Sequence, residues 1–196
     1  MEKGSIKQAA NEPRPSAGQI TDAATNAEEE VEPQATSSID FEPLSQINDD
    51  IVGWITLADT PIDYPVVQGD DQDYYLHHRF SKERSASGCI FMDTRNTPDF
   101  SDQNTILYGH HMKNGSMFAA LNRYSDQAFF EAHPKMDLYT PTGDKQVEWF
   151  AGFAQEAEEI PVTFQDEVSF ITYVTELVDR SDFVSNVTVL PGDSLV

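Results

Sequence analysis

The stretch Ile51-Val52-Gly53-Trp54-Ile55-Thr56-Leu57, followed by Ala58-Asp59-Thr60-Pro61 and then Ile62-Asp63-Tyr64-Pro65-Val66-Val67, decides the fold class. Two short runs rich in β-branched and aromatic residues flank four residues of turn chemistry, the pattern of successive strands. The same pattern recurs outward along the chain, at residues 88–92, 105–108, 135–139 and 146–154, with Thr142-Gly143-Asp144 as the turn between the last two. A further strand-like stretch at 186–190 leads through Pro191-Gly192-Asp193 into Ser194-Leu195-Val196. Helical periodicity is sparser. Leu44, Ile47 and Ile51 fall at helix-like intervals and predict a short helix that opens the folded domain. Ser116, Phe118, Leu121 and Tyr124 predict a second helix running on towards His133, where Pro134 stops it. Asp166 is a good N-cap for a third, which places Phe170, Ile171, Val174, Leu177 and Val178 on one face. Many short strands with few helices predict a mainly β fold, a barrel or sandwich carrying helical insertions.

The segment 1–38 has a different character. It is rich in Ala, Ser, Thr, Pro, Asn and Glu, with the run Glu28-Glu29-Glu30 and almost no large apolar residue. Such a segment cannot bury enough surface to offset its ordering entropy, so a disordered linker or stalk is expected, with a marginal helix from Ala23 to Glu30 as the alternative. The folded domain is then expected over 39–196. With 12 Lys+Arg against 34 Asp+Glu, the formal net charge is −22. Clustered cations for phosphate binding are lacking, which argues against a nucleic-acid partner and against a polybasic membrane anchor. A surface this acidic favours a soluble monomer. No stretch approaches the roughly 18 to 20 apolar residues of a membrane span. Met1-Glu2-Lys3-Gly4-Ser5 is not a signal-peptide core either. Composition fits a cytoplasmic protein and equally an exported one whose targeting segment is outside this chain. The ending, Leu195-Val196, reads as a strand beginning. A short edge strand closing the domain and a barrel lacking its last strands both fit it.

The polar groups that could carry chemistry are few. There is no Gly-rich phosphate loop, zinc-protease helix or nucleophile-elbow serine. The histidines are His77, His78, His110, His111 and His133. The two adjacent pairs invite a metal hypothesis, but neighbouring side chains on a strand point to opposite faces, so each pair offers one ligand at a time. No cysteine cluster accompanies them, and solvated or core-satisfied histidines are the favoured reading, so neither metal nor cofactor is expected. His110 is distinguished by position. Gly109 breaks the apolar strand Thr105-Ile106-Leu107-Tyr108, leaving His110 at a strand end that opens into the polar loop Lys113-Asn114-Gly115-Ser116. A histidine there can serve as a general acid or base, while a plain surface histidine fits the pattern as well. Cys89 is the single cysteine, so no intrachain disulfide can form. It lies in the hydrophobic run Gly88-Cys89-Ile90-Phe91-Met92, with the nearest cations at Arg84 and Arg95. A small buried apolar side chain is the leading reading, and a nucleophile partnering His110 the alternative.

Four blocks together resemble the class B sortases, cysteine transpeptidases of Gram-positive cell surfaces. They are Asn48-Asp49-Asp50-Ile51-Val52-Gly53-Trp54-Ile55; Ile62-Asp63-Tyr64-Pro65-Val66-Val67-Gln68-Gly69 leading into Asp73-Tyr74-Tyr75-Leu76; Gly88-Cys89-Ile90-Phe91-Met92-Asp93-Thr94-Arg95-Asn96; and Asn104-Thr105-Ile106-Leu107-Tyr108-Gly109-His110-His111-Met112 continuing to Ser116-Met117-Phe118. The resemblance runs from about Asp40 to Val196, and the helix expected after Asp166 resembles one that class B members insert between barrel strands. It implies a closed, eight-stranded sortase barrel with an N-terminal helix and helical insertions. It also implies a peptidase-like, hydrolase-class reaction on a cell-wall sorting signal at the outer face of the membrane. A cysteine thiolate attacks the signal peptide, an arginine stabilises the oxyanion, and a histidine, here His110, protonates the leaving amine. The acyl group then passes to an amine acceptor, a peptidoglycan precursor or a pilin. In this family the nucleophile follows a segment like Leu190-Pro191-Gly192-Asp193-Ser194-Leu195-Val196 and the arginine lies on the next strand. The resemblance therefore implies that the last barrel strands, cysteine and arginine are missing here and that the chain is inactive, with Cys89 structural. A non-catalytic module that keeps the sorting-signal groove is the alternative.

Overall fold

The computed structural model describes residues 37–156 and 158–196. Of the linker expected over 1–38, residues 1–36 lie outside the described residues, while Ser37 and Ser38 both donate to the Asp144 carboxylate. The architecture grows from the hairpin that opens the sequence argument. Strand β1 (Ile51–Thr56) pairs antiparallel with β2 (Asp63–Val67), with Trp54 opposite Pro65 and Thr56 opposite Asp63. The expected turn closes it: Leu57 N–H donates to the Ile62 carbonyl at 2.9 Å, and Thr60 Oγ1 donates to the Leu57 carbonyl at 2.8 Å.

On the other side of β1 lies β5 (Lys135–Thr140), with Trp54 opposite Tyr139, and β6 (Gly143–Glu148) pairs antiparallel with β5. On the far side of β2, β3 (Ile90–Met92) runs parallel to it and β4 (Leu107–Tyr108) runs antiparallel to β3. The result is one curled six-stranded sheet in the order β4-β3-β2-β1-β5-β6. Successive side chains of a strand face opposite ways, and in β1 both sets are buried. Ile55 enters a core with Val66, Ile90, Met92 and Leu138, while Trp54 enters a second with Leu44, Val67, Tyr75, Phe80 and Phe91.

Helices cover what the sheet leaves open. Helix α1 (Phe41–Ile47) is capped by Asp40, whose side chain accepts from Glu42 N–H, and buries Leu44. The apolar spacing that predicts it overruns its end, since Ile47 is 49% exposed and Ile51 already belongs to β1. A one-turn helix, α2 (Tyr74–His77), is an element that periodicity does not reveal. The helix expected from Ser116 to His133 is two pieces, a 3₁₀ helix (Phe118–Ser125) and α3 (Gln127–Ala132). Asp126 splits them by taking an extended conformation and accepting Ala128 N–H, because a short acidic side chain serves better as a cap than as a helix interior.

Helix α4 (Glu167–Asp179) begins as expected at Asp166, with a capping box: Asp166 accepts from Ser169 N–H and Ser169 Oγ accepts from Asp166 N–H. Its buried face is narrower than expected, comprising Phe170 and Val174, with Val178 48% exposed. Asp166→Ala is expected to lower stability by about 1 kcal/mol, read as a shifted urea midpoint with an unchanged m-value. No shift in the midpoint would remove the capping argument.

Two strand boundaries differ from expectation. β6 starts at Gly143 rather than near Gln146, because Thr140 pairs directly with Gly143 and its Oγ1 donates to the Gly143 carbonyl at 2.8 Å, leaving Pro141 and Thr142 as the turn. Residues 186–190 carry no strand pairing. Leu195 instead makes a parallel bridge with Asn104: Thr105 N–H donates to the Leu195 carbonyl at 2.9 Å and Leu195 N–H to the Gln103 carbonyl at 2.8 Å. Among the described residues, no helix is long and apolar enough to cross a membrane.

Candidate active site

His110 lies two residues past β4, and the glycine between them is required by packing. A Cβ on Gly109 would sit 2.4 Å from Ile90 Cδ1 and 2.8 Å from Phe118 Cδ2, so the chain can pass over the core there only without a side chain. The break at Gly109 is therefore a close approach, with no positive φ. The loop beyond folds straight back. His111 bridges Met117, Phe118 N–H donates to the His110 carbonyl at 3.0 Å, and Met117 N–H donates to Tyr64 Oη at 3.1 Å. Both ends of the loop are thus tied to the sheet, which gives His110 a rigid base.

The imidazole itself is half-buried, with Nε2 2.8 Å from the Leu76 carbonyl oxygen. A carbonyl can only accept, so the ring carries its proton at Nε2 in this contact, and the neutral ring presents Nδ1 as its lone-pair nitrogen. The other histidines make different contacts. His111 Nε2 lies 2.8 Å from Asn122 Nδ2. His78 stacks on Tyr74 and its Nδ1 donates to the Tyr74 carbonyl, and His133 does the same with Phe129. His110 and His111 are therefore divided between separate environments.

Cys89 is buried, with Sγ 3.8 Å from the Pro65 carbonyl. Burial pushes its thiol up to about 12, only partly offset by the Ile90 backbone N–H, so the reactive thiolate is negligibly populated near neutral pH. It lines a cavity of about 430 Å³ together with Trp54, Asp63, Tyr64, Phe80 and Met117, a wall that does not include His110.

Sequence reasoning missed the polar cluster behind β4. Asp93 is fully buried, and its carboxylate accepts from Arg95 Nε (3.0 Å), Arg95 Nη2 (2.8 Å) and Tyr108 Oη (2.8 Å). Gln68 Nε2 donates to the Asp93 and Asn96 carbonyls, both at 2.8 Å, and Asn96 Oδ1 accepts from Ile106 N–H at 2.9 Å. Burial alone raises the Asp93 pKa, but the hydrogen bonds from Arg95 and Tyr108 and the Arg95 charge outweigh it and hold the carboxyl well below the usual range. The cluster fixes β4, and hence the strand end from which His110 projects. Its only local signal is the close spacing of Asp93 and Arg95.

The chain is 42% identical over 155 residues to Sortase B of Listeria monocytogenes, an alignment spanning 78% of this chain and 63% of that relative. It is 35% identical over 171 residues to Sortase B of Staphylococcus aureus, spanning 86% of this chain and 68% of that one. It also superposes on the Staphylococcus aureus sortase B–substrate complex with a TM-score of 0.76 at 36% identity, covering 79% of this chain and 72% of that one. No family model matches.

Proposed function

The chain belongs to the class B sortase family, and from that premise we propose that it serves a sortase-type cysteine transpeptidation on a cell-wall sorting signal, with His110 as the leaving-group acid. The observation that carries this is the mounting of His110: half-buried, at a strand end, held through Nε2 to a carbonyl on a loop tied at both ends. In such a reaction a thiolate attacks the scissile carbonyl carbon, the C–N bond breaks, and the departing nitrogen takes a proton from the imidazolium. The thioester is then resolved by an amine, from a peptidoglycan precursor or a pilin, at the outer face of the cell membrane or in the cell wall. Residues 39–196 form the sortase-like unit in this reading, acting as a monomer.

These 196 residues include one cysteine, and its buried, high-pKa thiol is unsuited to attack. The polypeptide is therefore expected to form no acyl-enzyme by itself. The test is a titration of the labelled chain with a sorting-signal peptide, followed by NMR and by mass spectrometry of the peptide. Saturable shifts of the His110 ring resonances with intact peptide are expected. Peptide cleavage abolished by Cys89→Ala would overturn the account of Cys89, and binding that leaves His110 unmoved would overturn its role. The same experiment separates the second reading, a non-catalytic sorting-signal module. That reading gains only if a second polypeptide carrying a reactive cysteine and an arginine, supplied in trans, also fails to produce cleavage.

A further inference from the structure

The Leu76 carbonyl that holds His110 belongs to α2, a single turn whose first residue, Tyr74, donates its N–H to Asp71 Oδ1 at 2.7 Å. So short a helix has no stability of its own, and its place must come from tertiary contacts. Two such contacts clamp it. Tyr75 is fully buried, and its Oη donates to Asp50 Oδ2 while accepting from Asn48 Nδ2 at 2.8 Å, which ties α2 to the segment between α1 and β1. From the other side comes the strand leading into β3. Cys89 N–H donates to the Tyr75 carbonyl at 2.9 Å. At Gly88, where φ is +57°, a Cβ would stand 2.4 Å from the Tyr75 carbonyl oxygen and 2.8 Å from that of Leu76. The bare backbone of Gly88 thus lies directly against the carbonyl that receives the imidazole.

We propose that Tyr75 and Gly88 are positioning residues for His110: they hold the Leu76 carbonyl where it captures Nε2–H, which assigns proton transfer with the substrate to Nδ1. This rests on the leaving-group-acid reading above. A carbonyl accepts from Nε2–H equally in the neutral and the protonated ring, so that proton stays in place throughout. The imidazolium loses its Nδ1 proton to the departing amine and becomes the neutral Nε2–H form without breaking its anchor. No ring rotation or tautomer exchange is needed between the two halves of the reaction. The Cys89 N–H to Tyr75 carbonyl bond also gives Cys89 a part through its backbone, independent of its thiol.

The test is the solvent-exchange rate of the His110 Nε2 proton in the ¹⁵N-labelled 196-residue chain, at a pH where the ring is neutral. Gly88→Ala, which drives a methyl into the two carbonyls, is expected to speed exchange about tenfold. Gly192→Ala is the control, outside the loop that follows His110 and with nothing within 4 Å of the new Cβ, and should leave the rate unchanged. Equal rates in the parent chain and Gly88→Ala would overturn the proposal, as would an equal acceleration in Gly192→Ala. If Gly88→Ala fails to fold, Tyr75→Phe removes the anchoring hydroxyl and keeps the ring. Faster exchange there supports the proposal and an unchanged rate overturns it. A slow, Gly88-dependent proton alongside peptide binding that leaves His110 unmoved would sustain the positioning geometry and sink the acid role instead.

Discussion

Asp93→Ala is expected to lower the unfolding free energy by about 3 kcal/mol, the low end for breaking a buried ion pair. The low end applies because the Arg95 side chain is 41% exposed and can recover hydration once its partner is gone. Tyr108 cannot recover as easily, since its hydroxyl is partly buried against the carboxylate. Asp93→Asn keeps the volume and an acceptor oxygen but loses the charge, and should cost about half as much. The two variants also differ from the parent in pH dependence. The folded-state pKa of Asp93 is depressed, so its contribution is fully present above the unfolded carboxyl value of about 3.9 and is lost as pH falls through the folded value. Urea titrations across that acid range should show the parent losing stability faster than Asp93→Asn. Parallel curves would mean that folding leaves the Asp93 pKa unchanged, and a parent that gains stability relative to Asp93→Asn as pH falls would mean that the carboxyl is neutral in the native state.

The resonances of His110 are the more informative readout of the same variant. Tyr108 and His110 are separated only by Gly109, and β4 is two residues long, so β4 depends on this cluster more than on its ladder hydrogen bonds. Loosening Tyr108 should broaden the His110 signals while leaving those of β6, at the opposite edge of the sheet, unchanged.

What the sequence could show of this arrangement follows from the range of each interaction. The β1–β2 hairpin was legible because both strands, their turn residues and their apolar content are contiguous. The α4 cap was legible because Asp166 stands just ahead of a run of helical apolar periodicity. His110 stood out as a polar residue ending an apolar strand, and Cys89 read correctly as a buried apolar side chain from its neighbours. The interactions that hold His110 were not legible. Leu76 meets it across 34 positions of chain by a backbone carbonyl, which Gly88 approaches across a further 12, and a carbonyl has no residue-type signature. The 3₁₀ break at Asp126 was missed because its flanking apolar spacing continues through it, while the cap is made by one side chain. The start of β6 was misplaced because Thr142-Gly143-Asp144 has turn composition, yet Gly143 and Asp144 already pair with Thr140 and Tyr139.

Trp54→Ala is expected to be the most damaging single truncation, at about 3 to 5 kcal/mol. Trp54 is 2% exposed and stands at the crossing of three strands, opposite Pro65 on β2 and Tyr139 on β5. Its indole shares a core cluster with Leu44 of α1 and Tyr75 of α2, so one side chain joins the sheet to both covering helices. Its Nε1–H donates to Asp63 Oδ1 at 2.9 Å. Truncation would enlarge the adjoining cavity of about 430 Å³, and the flanking strands, paired on both sides, cannot collapse to fill it. Trp54→Phe separates the contributions: it keeps most of the apolar contact, removes one donor to Asp63, and should cost about 1 to 2 kcal/mol. A Phe variant as damaged as the Ala variant would place the energy in the hydrogen bond instead of the packing. Because Tyr75 rests against Trp54 in the same cluster, the Ala variant should also speed exchange of the His110 Nε2 proton at temperatures well below its melting transition. The Phe variant should not. That difference would trace a physical path from the hairpin, which fixes the fold, through α2 to the imidazole.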